Sequence, residues 1–437
     1  MMVKNLKQVD KNIDTDYTLT NVPQHARKNG LAVFVVLLGF TFLATSMAAG
    51  ANVGVAFNMT DLLWILLIGA LILSVYAGAL SWIAAKAGVT SMLLALYSLG
   101  KIGSKWADII LGGTQIFWYA VQSAYIGTVF TQALNIEEYF VPITIFFSLF
   151  FGVFAIKGSR GIEIIAYLAM PAFLYLAYII PKLSIDAAGG FGELFNILPE
   201  TTTSMPMTVA ITITVGTFIS GATNAPNWSR FAKTPKSGFI MAFAAFFIGT
   251  IVMVFSGMIG GIALQQGDMV QILIEMGIVF MGVAILIFNI WTTNTMTAYS
   301  FGVAGAEFFN KPNKVPFVVG GLILATIMAA VGIYEFFIPF LTLLGVFVPP
   351  LGGLIIGDYL YTWRKGFPSI ENIKFRTVRY ANLIAYLLAT LGAFISSEIG
   401  FFIPSINGVV LAIVLVYVIN FIFKKLGIND MHEIKNN

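Results

Sequence analysis

Apolar runs of about 18 to 27 residues, separated by short polar stretches, repeat along most of this chain. A helix crossing the hydrocarbon core of a membrane needs roughly 20 apolar residues. The pattern predicts twelve such spans: 31–55, 61–86, 108–134, 139–156, 162–184, 207–225, 238–264, 277–303, 315–333, 335–360, 380–397 and 401–423. Residues 1–30 read as a polar leader ending in His25-Ala26-Arg27-Lys28, and Lys424 and Lys425 close the last span. Two connections exceed a simple turn. Residues 87–106 contain Ser91-Met92-Leu93-Leu94-Ala95-Leu96-Tyr97, which fits a short helix on the inner surface or an ordered loop. Residues 266–276 fit an outer cap or, again, an ordered loop.

Charge orients the pattern. An even number of spans puts both termini on one side, and Lys and Arg favour the cytoplasmic loops. With the N-terminus inside, those loops hold Lys86, Lys101 and Lys105; Lys157 and Arg160; Arg230, Lys233 and Lys236; Lys311 and Lys314; and Arg364, Lys365, Lys374, Arg376 and Arg379. Only Lys182 falls outside. One miscounted span would reverse the later loops and erase this asymmetry. Glu137, Glu138, Asp186 and Asp268 lie on the outer side as solvated charges.

Composition agrees. The 437 residues are 58% apolar and 10% charged, with mean hydropathy +0.89, where a soluble domain is about a quarter charged. The net charge of +4 is scattered, which argues against nucleic acid as a partner. With no cysteine there is neither disulfide nor thiolate metal site. The two histidines, His25 and His432, flank the spans, so no histidine chemistry lies within them. The first 30 residues lack an early apolar core, and no cleavable signal peptide is expected. Neither an enzyme's mid-depth acid, base or nucleophile nor a repeated pore-helix signature is evident.

The candidate chemistry is uncharged. In span 8, Asn289, Thr292 and Thr293 stand at i, i+3 and i+4 and share a helix face. They offer oxygen ligands within one of the most apolar stretches, 277–302. Trp291 reads as packing. Span 1 contains Gly39-Phe40-Thr41-Phe42-Leu43-Ala44-Thr45-Ser46, and span 6 contains Gly216-Thr217-Phe218-Ile219-Ser220-Gly221-Ala222-Thr223. Paired interruptions in two halves point to a transporter's binding site; small residues also suit close helix packing. In span 3, Gln115, Trp118 and Gln122 share one face. That face suits a flat heteroaromatic ligand, stacked on the indole and read by the amide, or an interhelical hydrogen bond with Trp118 as packing. Asp108, Glu163, Glu307 and Asp358 fall at cytoplasmic span ends and Glu335 near an outer end, so no carboxylate marks mid-membrane. Intramembrane acids usually mark proton paths. By elimination the expected driving ion is sodium, held by the Thr292 and Thr293 hydroxyls and carbonyls freed at the break in span 1.

The runs Gly39–Ser46, Gly113-Thr114-Gln115, Thr217–Ser220, Trp228-Ser229-Arg230-Phe231-Ala232-Lys233 and Asn289-Ile290-Trp291-Thr292-Thr293-Asn294 resemble the nucleobase–cation symporter family, in the same order and over nearly the whole chain. Among its branches the resemblance is to bacterial cytosine permeases. It implies an all-α polytopic membrane protein of twelve transmembrane helices, with a five-plus-five inverted repeat and broken helices 1 and 6. The repeats would be 31–184 and 207–360, followed by two additional helices over 380–423 and a cytoplasmic tail, 424–437. It implies that Gln115 bonds the base and that Trp118 and Phe218 sandwich its ring. Ser220 and the backbone near Thr217 would meet the polar edge. Asn294 would touch the base or brace the helix. Sodium would take backbone oxygens of Gly39, Phe42 and Asn289 and the hydroxyls of Thr292 and Thr293. Leu43 stands where such permeases tend to have phenylalanine, Ala48 where they have tryptophan and Thr217 where serine is usual, which bears on the choice of base. The expectation is a transporter in a bacterial cytoplasmic membrane with no cofactor, importing a nucleobase, cytosine first, by sodium symport. The alternatives are ion-coupled uptake of another ring compound (a purine, a hydantoin, a thiamin-precursor pyrimidine), including by proton coupling, and a non-transporting sensor.

Overall fold

The computed structural model describes residues 17, 19–157, 159–199 and 205–435, with side chains except at 157–170, 172 and 173. Residues 1–16 and 18 of the leader, 436–437 of the tail, and the side chains of Lys157, Arg160 and Glu163 lie outside the described set.

In an apolar solvent every backbone N–H and C=O must bond within the protein, which leaves helices as the open solution for apolar runs of this length. The helices are α1 (Gly30–Thr41), α2 (Ala44–Gly54), α3 (Met59–Ala87), α4 (Ser91–Leu134), α5 (Phe140–Val153), α6 (Ser159–Ala187), α7 (Met207–Gly216), α8 (Ile219–Asn224) and α9 (Pro226–Ser229). They continue as α10 (Pro235–Leu264), α11 (Met269–Glu275), α12 (Val279–Phe308), α13 (Val315–Ala330), α14 (Phe337–Phe347), α15 (Pro349–Asp358), α16 (Tyr380–Glu398) and α17 (Pro404–Lys425). Seven helical segments are long and apolar enough to cross a membrane, and α1–α2 and α7–α9 add two bent ones. The protein is thus a multi-pass, helical membrane protein with nine candidate spans among the described residues. The other expected spans, 108–134, 162–184 and 315–333, are helical within α4, α6 and α13.

The ends follow local chemistry. Asn58 caps α3 by accepting from Asp61 N–H at 3.0 Å, and Gly88 stops it in the left-handed region. Thr90 caps α4, accepting from Leu93 N–H at 3.1 Å. The polarity of the cross-section is reversed from that of a soluble protein. Trp64, Phe146, Leu387 and Phe421 are each more than half exposed, while Thr45, Thr223, Asn224, Asn289 and Thr293 are fully buried. Inside, α2 and α10 approach until a Cβ at Gly50, Gly54, Gly257 or Gly261 would overlap the partner's backbone. The small residues of span 1 beyond the break, Gly50 and Gly54, therefore serve close packing.

The connection 87–106 carries the short helix of the first of its two readings: residues 91–99 form the first part of α4, and they are mostly buried within the protein. The helix breaks at Gly100, whose φ of 81° suits glycine. The freed groups bond across to the loop before α16, as Lys101 N–H and Ile102 N–H donate to Arg376 and Thr377 carbonyls at 2.9 and 2.8 Å. The 266–276 connection does carry a helix, α11, buried at Met269, Val270, Ile272 and Leu273.

One short strand pair accompanies the helices. Ile373–Lys374 (β1) pairs antiparallel with Glu433–Ile434 (β2), so the C-terminal tail folds back under α16. Beside it, Asp358 and Arg379 form a fully buried ion pair at 2.7 Å. Thr362 Oγ1 and Trp363 Nε1 also donate to Asp358, at 2.8 and 2.9 Å. Such a pair is tolerable only when its remaining lone pairs are met in this way. Asp430 caps α16 through the N–H groups of Tyr380 and Ala381. His432 Nδ1 accepts from Arg376 N–H at 3.1 Å, which leaves Nε2–H to donate to the Tyr97 carbonyl at 2.9 Å.

Burial pushes the His432 imidazole down to about 4, aided by the Arg379 charge, from an ordinary 6.5. The folded tail therefore holds it neutral while the released tail takes up a proton. Its contribution is intact above about 6.5 and is lost progressively as pH falls toward 4. Backbone hydrogen exchange at 429–435 should speed up on acidification from pH 7 to 5, beyond the intrinsic rate change, and His432→Gln should abolish that extra pH dependence.

Candidate functional site

The site begins with the backbone groups that two broken helices set free. α1 and α2 are bent by 52° across Phe42 and Leu43. Leu43 N–H turns back to the Thr41 carbonyl at 2.9 Å, so the Gly39 carbonyl loses the donor a continuous helix would supply. The side chain of Asn289 on α12 repairs the rest. Its Oδ1 accepts from Ala44 N–H at 2.9 Å, and its Nδ2 donates to the Phe42 carbonyl at 2.7 Å. One amide thus supplies the donor and the acceptor the break lacks, at zero exposure. Because Ala44 N–H is committed to Asn289, the Phe40 carbonyl also lacks its helical donor.

Thr292 and Thr293 follow on the same face, both buried. Thr292 Oγ1 donates to the Phe288 carbonyl at 2.9 Å. Thr293 Oγ1 lies 2.5 Å from Gln122 Oε1 of α4 and 3.0 Å from the Asn289 carbonyl. Asn289 thus ties α12 to the break at Phe42, and Thr292 and Thr293 follow one turn on along the same helix, with uncharged oxygens throughout. Among the described residues no cluster of three or more His, Cys, Asp or Glu forms a metal site. Oxygen dipoles without a carboxylate suit a weakly held monovalent cation better than a divalent one.

The second break joins α7 to α8, bent by 42° at Thr217 and Phe218. Thr217 Oγ1 caps the Thr214 carbonyl at 2.6 Å. Ser220, fully buried one turn on, accepts from Trp118 Nε1 at 2.8 Å and from Gln115 Nε2 at 3.3 Å. The amide–indole face of α4 therefore converges on α8 through the interhelical hydrogen bond that was one of its two readings. The two aromatic rings have separate partners. Phe218 meets Phe40 edge-on at 4.8 Å, while Trp118 meets Phe340 and Phe337 at 5.8 and 6.1 Å. Of the two roles left open by the sequence, Asn294 has the bracing one: its Nδ2 donates to Ser123 Oγ of α4 at 3.1 Å, and its buried Oδ1 has no partner among the described residues. Trp291 packs among Phe154, Phe150 and Phe288 at 4.8 to 6.3 Å, away from this face. Leu43 and Ala48 are buried beside the first break.

The description "permease for cytosine/purines, uracil, thiamine, allantoin" belongs to a family model that matches residues 21–423. The chain belongs to this family. It is 31% identical over 387 residues to the cytosine permease of Escherichia coli (strain K12), covering 87% of this chain and 88% of that protein. It is 24% identical over 432 residues to the allantoin permease of Bacillus subtilis (strain 168), covering 88% and 82%. Among solved structures it resembles Mhp1, a nucleobase-cation-symport-1 family transporter closed around bromovinylhydantoin. The TM-score is 0.77 at 17% identity, over 94% of this chain and 96% of that one, which is a likeness of fold. The protein is thus a membrane transporter of the cytosine/purine permease family, not an enzyme.

Sequence reasoning missed several parts of this permease's interior. Ser91 is tied to the inner end of the second broken helix. Its N–H donates to Asn227 Oδ1 at 3.1 Å and its Oγ to the Thr223 carbonyl at 2.8 Å. Thr90 Oγ1 donates to Glu307 Oε1 at 2.7 Å. Asp108 and Glu307, expected as plain cytoplasmic-end charges, are 5% and 8% exposed. The cover comes from helix 91–99 and from Ile370 and Phe375, none of which a span pattern brings near them.

Removing the Asn289 amide should strand Ala44 N–H and the Phe42 carbonyl in a dry site, at about 1–3 kcal/mol each. Asn289→Ala should therefore lower the unfolding temperature of the purified permease more than Asn294→Ala, which loses one bond. Equal shifts would argue against Asn289 as the tie across the break.

Proposed function

We propose that this permease imports a nucleobase, cytosine in first place, by sodium symport with alternating access. The observation that carries the reading is the amide of Asn289 spanning the break between α1 and α2, with Thr292 and Thr293 beside it on α12. Sodium would bind the carbonyls of Gly39, Phe42 and Asn289 and the hydroxyls of Thr292 and Thr293. The Phe42 carbonyl already receives one hydrogen bond, from Asn289 Nδ2. The base would lie against α4 and α8, between the faces of Trp118 and Phe218. Gln115, Ser220 and the backbone at Thr217 would meet its polar edge, and the unpartnered Oδ1 of Asn294 would take an amino or ring N–H group. Gln115 and Trp118 now bond Ser220, so a base exchanges those bonds for its own rather than desolvating free groups. An ion that orders the break lowers the cost of ordering it for the base, and by linkage the base does the same for the ion.

The arrangement we propose has twelve spans in five-plus-five inverted repeats, 31–184 and 207–360, with two further spans over 380–423. The leader 1–30 and the tail 424–437 would face the cytoplasm of a bacterium. Helices over every expected span, two breaks five spans apart, the lysine and arginine asymmetry, and the bacterial relatives support it.

One observation favours proton coupling as a second reading. Asp108 and Glu307 each bury one carboxylate oxygen without a hydrogen-bond partner, beside a cavity of about 350 Å³ on the inner side. The allantoin permease relative likewise keeps a different ring compound in view.

Proteoliposomes separate these readings. Cytosine accumulation should follow an inward sodium gradient at equal pH. Gln115→Ala should lower base affinity at least tenfold, the order expected when a desolvated polar contact is lost. Accumulation that follows a pH gradient in sodium-free buffer would establish the second reading instead. Binding without accumulation would identify a sensor.

A further inference from the structure

Asp108 stands two helical turns before Gln115 on α4, about 10 Å nearer helix 91–99. Glu307, in the last turn of α12, lines the same cavity. Both acids are more than nine-tenths buried. Each keeps one buried oxygen, Asp108 Oδ1 and Glu307 Oε2, with no hydrogen-bond partner among the described residues. Thr90 Oγ1 donates to Glu307 Oε1 at 2.7 Å. Lys105, one turn before Asp108, donates instead to the Glu307 and Phe308 carbonyls. A carboxylate only accepts and has room for about four hydrogen bonds. Burying one short of donors costs stability, and at Glu307 the negative end of α12 adds to that cost.

The cavity holds about 350 Å³, which falls among small-molecule sites and is far more than a metal ion fills. Leu93, Leu96 and Phe375 give it apolar walls, and Lys101 and Asn310 bring N–H donors. Lys101 and Lys105 balance the two acids in formal charge. A bare cation needs a close ring of oxygens, which such a lining does not supply. A flat, neutral ring with an amino group and a carbonyl matches it in every part. We propose that this cavity is a second site for an amino-oxo heteroaromatic ring, separate from the one at the second break, with Asp108 Oδ1 and Glu307 Oε2 accepting from its N–H groups. The choice of ring rests on the nucleobase reading above; the cavity and its open oxygens do not. A ring seated there lies against helix 91–99, which Ser91 bonds to Thr223 and Asn227. Occupancy would therefore brace the broken helix that holds Ser220, and the two ring sites would be coupled in both directions.

The test is equilibrium dialysis of labelled cytosine, from micromolar to millimolar, against the purified full-length protein with sodium present. The parent should show a tight class of site and a weak one. Gln115→Ala should weaken the tight class and spare the weak one. Asp108→Asn and Glu307→Gln place a donor where the ring's amino group arrives, and each should weaken the weak class about tenfold or more. Uracil, with a carbonyl in place of that amino group, should compete for the parent's weak class about tenfold less well than cytosine, and Glu307→Gln should erase this preference. A single class in the parent overturns the proposal, as does a weak class that takes uracil equally well or survives both acid variants. Should the acid variants fail to fold, Leu96→Trp, which fills the cavity from its apolar wall, decides alone: an unchanged weak class overturns the site. A parent whose binding is wholly indifferent to Gln115→Ala would instead overturn the ring site at the second break, and the acid variants would still decide this one.

Discussion

A helix cannot be interrupted inside a membrane unless something bonds what the interruption exposes. At Phe42 and Leu43 that something is the side chain of Asn289, 247 residues further on from Phe42. Its amide presents a donor and an acceptor at the spacing of the backbone groups it replaces. The break in the first span is therefore held open by the eighth. Everything near it inherits the arrangement: the carbonyls of Gly39 and Phe40 lack helical donors, and the Thr292–Thr293 pair is carried to the same depth by the turn of α12. The groups gathered there are uncharged oxygens with no carboxylate among them, and burying such dipoles costs far less than burying a charge.

The second break is treated differently, and the contrast has a functional sense. Around Phe218 the polar groups bond one another. Gln115 and Trp118 share Ser220, Thr217 closes on Thr214, and Asn294 is held at one end and bare at the other. Such a set can trade partners with a ring compound that offers N–H and C=O groups along one edge. α4 serves both breaks, through Gln115 and Trp118 toward α8 and through Gln122 and Ser123 toward α12. It thus bonds side chains beside both breaks.

Helix 91–99 and the C-terminal tail add a platform with no counterpart in the span pattern. Helix 91–99 is clasped at Gly100 by the loop before α16, and that loop is strapped by the tail through β2, Asp430 and His432. Ser91 carries the connection on to Thr223 and Asn227 below the second break. This platform is thereby tied to the broken helix that holds Ser220, and the acids Asp108 and Glu307 become interior groups rather than surface ones.

Hydropathy determined the helices and charge asymmetry their expected orientation, because crossing a membrane is a property of each segment alone. The periodicity of one helix was likewise enough to set Asn289, Thr292 and Thr293 on one stripe and Gln115, Trp118 and Gln122 on another. The glycine and hydroxyl runs marked both breaks to within a few residues. What the chain order could not carry is which polar group meets which. That Asn289 bonds Phe42 and Ala44, that Gln122 meets Thr293, and that Asn294 leaves one oxygen bare depend on how α1, α4 and α12 are set side by side. The same holds for the burial of residues 91–99 and of Glu307, where polar and apolar neighbours in sequence resemble an ordinary cytoplasmic turn. Local pattern reports a segment's solvent, whereas a hydrogen bond between helices needs distance and direction, and only the packed bundle supplies those.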